Sequence, residues 1–364
     1  MKQISILIKP TSSLCNMKCA YCFYEDVAKQ RSAYSKGMMD EKTSHRLIDE
    51  VLSLNLSQIH FCFQGGEPTR IDISFYHDFV AYVSKQNKNN TKITYAIQTN
   101  GLALNEAWYQ LFEDHHFLVG ISLDGFRELH DAYRLDLKGK GTFDIVFSHI
   151  KEMEKRNITY NILTVLTSKL AKYPKEVFDF YKTNHLNYIQ FIPCLPDLNR
   201  QNNEYALTPQ AYFEFFKAMF VCWEEEYFQG NYLSVSLFDQ LIPMYLGIAP
   251  STCGMLGRCS MQVVVEGDGS IYPCDFYVLD KYYCGNIHDL SLKDILQSDQ
   301  VKAFLTEKQE IRPICLNCAF YKMCYGNCKR MNVCMKDETY CGYQAFLKYS
   351  QERMYQIARQ MKKL

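Results

Sequence analysis

Apolar positions in the first two hundred residues alternate between two periods. Short runs at Ile4–Ile8, Ile59–Phe63, Ile93–Ile97, Leu118–Ser122, Tyr160–Val165 and Tyr188–Ile192 have the length and the β-branched or aromatic content of strands. Between them, Glu41–Leu52, Ser74–Val83, Glu106–Phe112, Phe143–Met153 and Pro174–Tyr181 repeat apolar residues at helical spacing. Strands separated by helices predict βαβ units on a parallel sheet, and six of them fit an open, partial (β/α)6 TIM-like barrel. In that architecture functional groups gather at the C-terminal ends of the strands. The rhythm changes after position 200. Helical stretches at Pro209–Tyr227 and Leu237–Leu246 precede a predicted hairpin, Met261–Val265 and Ser270–Tyr272 around Gly267-Asp268-Gly269. A loop-rich, cysteine-dense segment covers 315–341, and amphipathic helix resumes from Tyr343 to the end. The α/β chain is thus expected to divide into a partial barrel over 1–235, a Cys-rich domain over 236–341 and a C-terminal helix over 342–364.

Composition narrows the partners. Hydrophobic residues make up 48% of the 364, enough for a sizeable core. Lys+Arg and Asp+Glu both number 40, so no general attraction draws the chain to nucleic acid or to an anionic membrane, and neither is expected as a partner. The apolar run Ile4–Ile8 is interrupted by Ser5 and stopped by Lys9-Pro10, too short for a signal-peptide core. No apolar stretch approaches the roughly 18 residues of a membrane helix. The expectation is a soluble, cytoplasmic protein. Sixteen cysteines in such a chain indicate metal or redox chemistry rather than a disulfide scaffold.

Three of them, in Cys15-x3-Cys19-x2-Cys22, follow the first predicted strand in a loop opened by Pro10-Thr-Ser-Ser. Three thiolates on one loop can hold three irons of a [4Fe–4S] cube and leave the fourth open. A structural zinc site would need a fourth closing ligand, although thiolate softness by itself does not choose between iron–sulfur and zinc. Further motifs sit at the ends of later strands: Gly65-Gly66-Glu67-Pro68, Gln98-Thr-Asn100-Gly101, Ser122-Leu-Asp124-Gly125 with Arg134 beyond it, and Phe191-Ile-Pro-Cys-Leu195. Singly, each reads as a turn; the ordered set carries the weight. With Tyr21 before the last cysteine, it resembles the radical S-adenosylmethionine superfamily. The resemblance implies that the open iron chelates the amino and carboxylate groups of S-adenosylmethionine, whose reductive cleavage yields a 5′-deoxyadenosyl radical. By the same resemblance Tyr21, Gly66, Ser122, Arg134 and Leu195 match cofactor-contacting positions.

A second array takes eight cysteines: Cys253, Cys259-x9-Gly269-x4-Cys274, Cys315-x2-Cys318-x5-Cys324-x3-Cys328, and Cys341. Eight thiolates make two complete four-cysteine cages; a pair of zinc ribbons would use the same spacing. The array is similar to the SPASM domain of radical enzymes that modify peptides. That likeness implies two auxiliary [4Fe–4S] clusters, three in all. It assigns Cys253, Cys259, Cys274 and Cys328 to the nearer auxiliary cluster and Cys315, Cys318, Cys324 and Cys341 to the farther one. Cys62, Cys194, Cys222, Cys284 and Cys334 are left over; Cys62 and Cys194 read as packing residues, and Cys334 lies where it could replace a ligand.

Abstracting one hydrogen atom leaves a carbon radical, so a two-electron oxidation must still lose an electron and a proton. The nearer auxiliary cluster can take the electron, and a side-chain base the proton. Asp275 directly follows Cys274. Pro273–Lys281, Leu7-Ile-Lys-Pro10, Cys22-Phe-Tyr24 and Phe63–Thr69 resemble the anaerobic sulfatase-maturating enzymes, a likeness that spans nearly the whole chain. It implies oxidation of a cysteine or serine in a Cys/Ser-x-Pro-x-Arg segment of an unfolded sulfatase to Cα-formylglycine. It also implies Asp275 as the base and an electron donor such as flavodoxin or ferredoxin. One departure, Gly326-Asn-Cys328 where Gly-Gly-Cys is common, leaves the ligand spacing intact. The rival readings are a maturase of ribosomal peptides, forming thioethers or epimerising residues, and a non-catalytic metal-binding scaffold. Peptide maturases commonly carry a recognition domain ahead of the cluster loop, for which Cys15 leaves no room.

Overall fold

A computed structural model describes residues 2–199, 203–309 and 311–361. Its strands are β1 (Gln3–Ile8), β2 (Gln58–Phe63), β3 (Lys92–Thr99), β4 (Leu118–Ser122), β5 (Tyr160–Leu166), β6 (Tyr188–Pro193), β7 (Ser234–Val235), β8 (Val263–Val265), β9 (Ser270–Tyr272) and β10 (Gly285–Asn286). Helices follow each of β1 to β6, as the (β/α)6 reading expects. The last three residues of the expected 342–364 helix lie outside the described residues. The chain forms two compact units, one from Met1–Ser122, Arg134–Tyr160 and Met261–Thr306, the other from Leu123–Tyr133, Asn161–Ser260 and Glu307–Leu364.

In the first unit the strand order is β10-β9-β8-β1-β2-β3-β4. β1 is buried on alternate residues, Ile4, Ile6 and Ile8, the period of a strand with one face in the core. It pairs in parallel with β2 from Gln3↔Gln58 to Ile8↔Phe63 and, on its other edge, with β8 from Ile6↔Val263 to Ile8↔Val265. The predicted hairpin therefore adds directly to the sheet that begins at the N-terminus. β8, paired on both edges by β1 and β9, is buried along its whole length, which explains its unbroken Val-Val-Val. The helical layer rests on aromatics: the Phe63 ring lies 4.8 Å from Tyr76 and 5.1 Å from Phe79. Asp40, Asp72 and Asn105 accept hydrogen bonds from the first-turn amides of the helices Glu41–Ser53, Ile73–Gln86 and Glu106–Asp114, fixing where each begins.

The second unit carries β5 from Asn161 onward, β6 and β7, all parallel. Its core joins the helices Pro209–Phe228, Ser236–Met244 and Gly342–Met361 through Phe216, Phe220, Phe238 and Phe346. Arg353 of the last helix pairs with Glu224 at 2.8 Å.

Candidate active site

The Cys15–Cys22 loop leaves the C-terminal end of β1 and is held by the loops after β2 and β3 and by the strip around 135. Glu67 N–H donates to Leu14 O (2.8 Å), Arg70 Nη1 to Cys15 O (2.9 Å), and Asn100 Nδ2 to Asn16 Oδ1 (2.7 Å). Lys18 N–H donates to Leu135 O (2.8 Å), beside a bridge between Met17 and Asp136. Two groups aim at a thiol: Met17 N–H and Asn100 Nδ2 lie 3.4 and 3.7 Å from Cys15 Sγ. Glu67, 1% exposed, binds the loops to one another. Its carboxylate accepts from Thr69 N and Oγ1, Thr99 Oγ1 and Asn100 N.

The expected cofactor-contacting residues are distributed as follows. Tyr21, Gly66, Ser122 and Arg134 belong to the first unit with the triplet, and Leu195 to the second. Arg134 places its guanidinium 5.5 Å from the centre of the Tyr21 ring, a cation–π distance. Ser122 is the buried last residue of β4, and Leu195 is buried beyond the end of β6. The glycine pair serves the loop itself. Gly66 has φ +23°, and a Cβ there would lie 2.3 Å from Leu14 O, so only glycine lets the two backbones close. Gly66→Ala is expected to push the cysteine loop outward, costing about 1–3 kcal/mol of stability. Reduced iron content after reconstitution and a lower melting temperature would register it.

Asp275 opens a short helical turn, Asp275–Tyr277, that packs on the helix Phe23–Lys29 following the triplet; the rings of Phe276 and Phe23 are 5.2 Å apart. The carboxylate is buried, and its two oxygens differ. Oδ2 accepts from Tyr24 OH (2.7 Å) and Gln64 Nε2 (3.1 Å). Oδ1 faces Lys9 Nζ at 3.6 Å and, among the described residues, accepts no hydrogen bond. Lys9 also neighbours Glu266 (3.5 Å), which Arg31 pairs at 2.8 Å. Burial raises the Asp275 carboxyl above its ordinary range, against the pull of Lys9 and the Tyr24 hydrogen bond, with Glu266 adding to the rise. Burial and the Asp275 charge hold the Tyr24 phenol well above its usual value. Tyr24 is therefore a donor here and Asp275 the acceptor.

In the second unit Cys315, Cys318, Cys324 and Cys341 line one cavity. Cys253, Cys259 and Cys328 are close enough for their charges to interact, while Cys274 belongs to the first unit. Cys334 lies outside the cavity lining, its thiol donating to Cys194 O at 3.2 Å.

The radical SAM superfamily matches residues 10–180, and the SPASM iron–sulfur cluster-binding domain matches 253–319. A cysteine-type anaerobic sulfatase-maturating enzyme of Clostridium novyi (strain NT) is 40% identical over 91% of this chain and 89% of its own length. The chain belongs to the anaerobic sulfatase-maturating enzymes. A serine-type member from Bacteroides thetaiotaomicron is 29% identical over 90% of the chain and 83% of its own. The solved structure of native anSMEcpe with bound AdoMet superposes with a TM-score of 0.92 at 35% identity, covering 98% of this chain and 99% of that one.

As a sulfatase-maturating enzyme of the radical SAM superfamily, the protein works with S-adenosylmethionine and iron–sulfur clusters. Its cysteines fit that chemistry. Burial, with the nearby Glu67, pushes the Cys15 thiol up to about 11, and burial likewise raises Cys22, Cys324, Cys328 and Cys341. A buried thiolate at neutral pH needs a bound cation, which iron supplies. The sequence drew attention to Asp275 and to Tyr24, but not to the rest of the set around the carboxylate. Lys9 and Gln64 lie inside quoted motifs, yet nothing in their spacing marks them as neighbours of residue 275. Glu266 and Arg31 carry no signal at all.

Proposed function

We propose that this enzyme oxidises the cysteine of a Cys-x-Pro-x-Arg segment in an unfolded sulfatase to Cα-formylglycine, with Asp275 as the base. The observation that carries the reading is Asp275 Oδ1: a buried carboxylate oxygen that faces Lys9 Nζ at 3.6 Å and, among the described residues, accepts no hydrogen bond within 3.5 Å, beside the triplet's own helix. Cys15, Cys19 and Cys22 would hold the cluster that binds S-adenosylmethionine. Tyr21, Gly66, Ser122, Arg134 and Leu195 would line its site, and the eight later cysteines would hold two auxiliary clusters. Bound there, these groups supply hydrogen-atom abstraction from the substrate Cβ and uptake of one further electron. The protein supplies the rest. Tyr24 and Gln64 fix the carboxylate through Oδ2, leaving Oδ1 to take the thiol proton. Lys9 opposes the rise that burial imposes on the carboxyl. The loss of one hydrogen atom, one electron and one proton turns the thiol into a thioaldehyde, which water converts to the aldehyde with release of sulfide.

Preference for cysteine over serine rests on likeness. Cysteine-type relatives are 36–40% identical and serine-type ones 25–29%. Flavodoxin or ferredoxin is the proposed reductant, and the cytoplasm the proposed compartment, in keeping with sixteen free cysteines. The 1–235, 236–341 and 342–364 division is retained as a proposal; the matches at 10–180 and 253–319 fall within its first two parts.

Anaerobic incubation with S-adenosylmethionine, dithionite and a Cys-x-Pro-x-Arg peptide tests the function. Mass spectrometry should find a product that has lost sulfur and gained oxygen at the aldehyde level, in step with 5′-deoxyadenosine. A matched serine peptide should turn over more slowly. Cofactor cleavage with an unchanged cysteine peptide would rule the assignment out.

A further inference from the structure

Among the described residues, Lys336 is a buried cation with no carboxylate to answer it. Lys336 is 4% exposed, and its backbone is pinned by Lys336 N–H to Asn332 O (2.9 Å), Arg312 Nη1 to Lys336 O (3.1 Å) and a bridge to Cys341. The ammonium lies 3.1 Å from Gly326 O and 3.5 Å from Cys315 Sγ. No carboxylate comes within ion-pair distance among the described residues. An isolated buried charge is costly, so a lysine held there implies an anion in the same space. The backbone is shaped to admit it. Tyr325, Gly326 and Asn327 take φ of 44°, 90° and 60° in succession, a left-handed run that turns the Gly326 carbonyl to the ammonium. A Cβ at Gly326 would meet Lys336 Nζ at 3.2 Å. Gln309 Nε2 holds the run by donating to Asn327 O and Gly257 O, each at 3.0 Å.

Two more donors reach the same cavity. Gln344 Nε2 lies 3.2 Å from Cys318 Sγ, and Gln344 N–H lies 3.3 Å from Cys341 Sγ. Cys315, Cys318 and Cys341 thus each face an N–H group, Cys324 has the Gly326 amide beside it, and the group at Cys315 carries a full charge. A cubane held by four thiolates is anionic and becomes more so on reduction. A buried ammonium and N–H···S bonds therefore favour the reduced form.

We propose that Lys336, assisted by Gln344, raises the reduction potential of the far auxiliary cluster and so makes it an electron-accepting station during substrate oxidation. The proposal rests on assigning Cys315, Cys318, Cys324 and Cys341 to a [4Fe–4S] cluster. Lys336 acts on the cluster through its ligands, as a positioning charge rather than a catalytic group.

Spectroelectrochemical titration of the fully loaded enzyme, followed by EPR, tests this. In Lys336→Gln, which keeps a donor without the charge, one transition should move to lower potential while the others stay. The expected size is about a tenfold shift in the reduction equilibrium, ~59 mV for one electron. Lys336→Arg should restore the wild-type value. If iron per chain is unchanged and no transition moves, Lys336 does not tune the cluster. If Lys336→Gln loses the cluster's iron, Gln344→Leu carries the test: the same transition should fall by a smaller amount, and an unmoved one overturns the proposal. Zinc in place of iron in the wild-type protein would instead overturn the cluster assignment beneath it.

Discussion

Replacing Cys15, Cys19 and Cys22 together with alanine is expected to abolish reductive cleavage of S-adenosylmethionine while leaving the rest of the protein folded and loaded. The wild-type chain should bind about twelve irons, four for each cubane, and the triple variant should lose about a third of them with matching sulfide. The loop lies at the end of β1 and is anchored by backbone and side-chain contacts that the thiols do not make, such as Glu67 N–H to Leu14 O and Lys18 N–H to Leu135 O. Cys15 and Cys22 are half-buried, and loss of solvent raises both thiols, so alanine removes ligands rather than structural charges. Iron and sulfide analysis with a 5′-deoxyadenosine assay checks this. Retained cleavage, or loss of all the iron, would contradict the division of the cysteines into three sets.

Asp275→Asn separates radical formation from oxidation of the substrate. Asparagine nearly matches aspartate in size and binds no iron here, so cluster content and cofactor cleavage should persist. Proton removal from the substrate should fail, since an amide is no base. Loss of a general base costs about 10²–10⁴-fold, and aldehyde formation should drop by that much, with the remaining cleavage uncoupled from product. The loss should be smaller on a cysteine peptide than on a serine one, because a thiol with a reference pKa near ~8.5 ionises partly without help. Tyr24 is the adjacent alternative, yet its phenol is held well above its usual value. Tyr24→Phe should therefore reduce turnover far less than Asp275→Asn. Comparing product per 5′-deoxyadenosine in the two variants decides between them; wild-type coupling in Asp275→Asn would exclude Asp275 as the base.

Individual elements were legible in the sequence, because the burial period and the caps are local properties. The expected Leu118–Ser122 strand is β4 itself, and the expected Glu41–Leu52 helix runs Glu41–Ser53 behind its Asp40 cap. The Gly267-Asp268-Gly269 hairpin formed as expected, but its address did not follow from its pattern. Val263–Val265 reads as a buried strand wherever it goes, and only pairing with Ile6–Ile8 reveals its neighbour. The active site divides the same way. Cysteine spacing marked the triplet, and the contiguous stretch Pro273–Lys281 singled out Asp275 only through its family resemblance. Lys9, Gln64 and Glu266 meet Asp275 only after β1, β2 and β8 have paired, and Lys336, in a polar loop, carries no mark of being buried.

The position of β1 also governs the order in which the chain can assemble. During synthesis its β2 edge can be paired once Phe63 has emerged, but its other edge waits for Val263–Val265. Until then a strand rich in isoleucine presents open backbone donors and acceptors, a template for pairing between chains. Closing so long a loop also makes the late step slow. The cysteine loop at the end of that strand is in place long before Asp275 can reach Tyr24. A nascent chain thus passes through a stage that has its first three thiols but lacks its base.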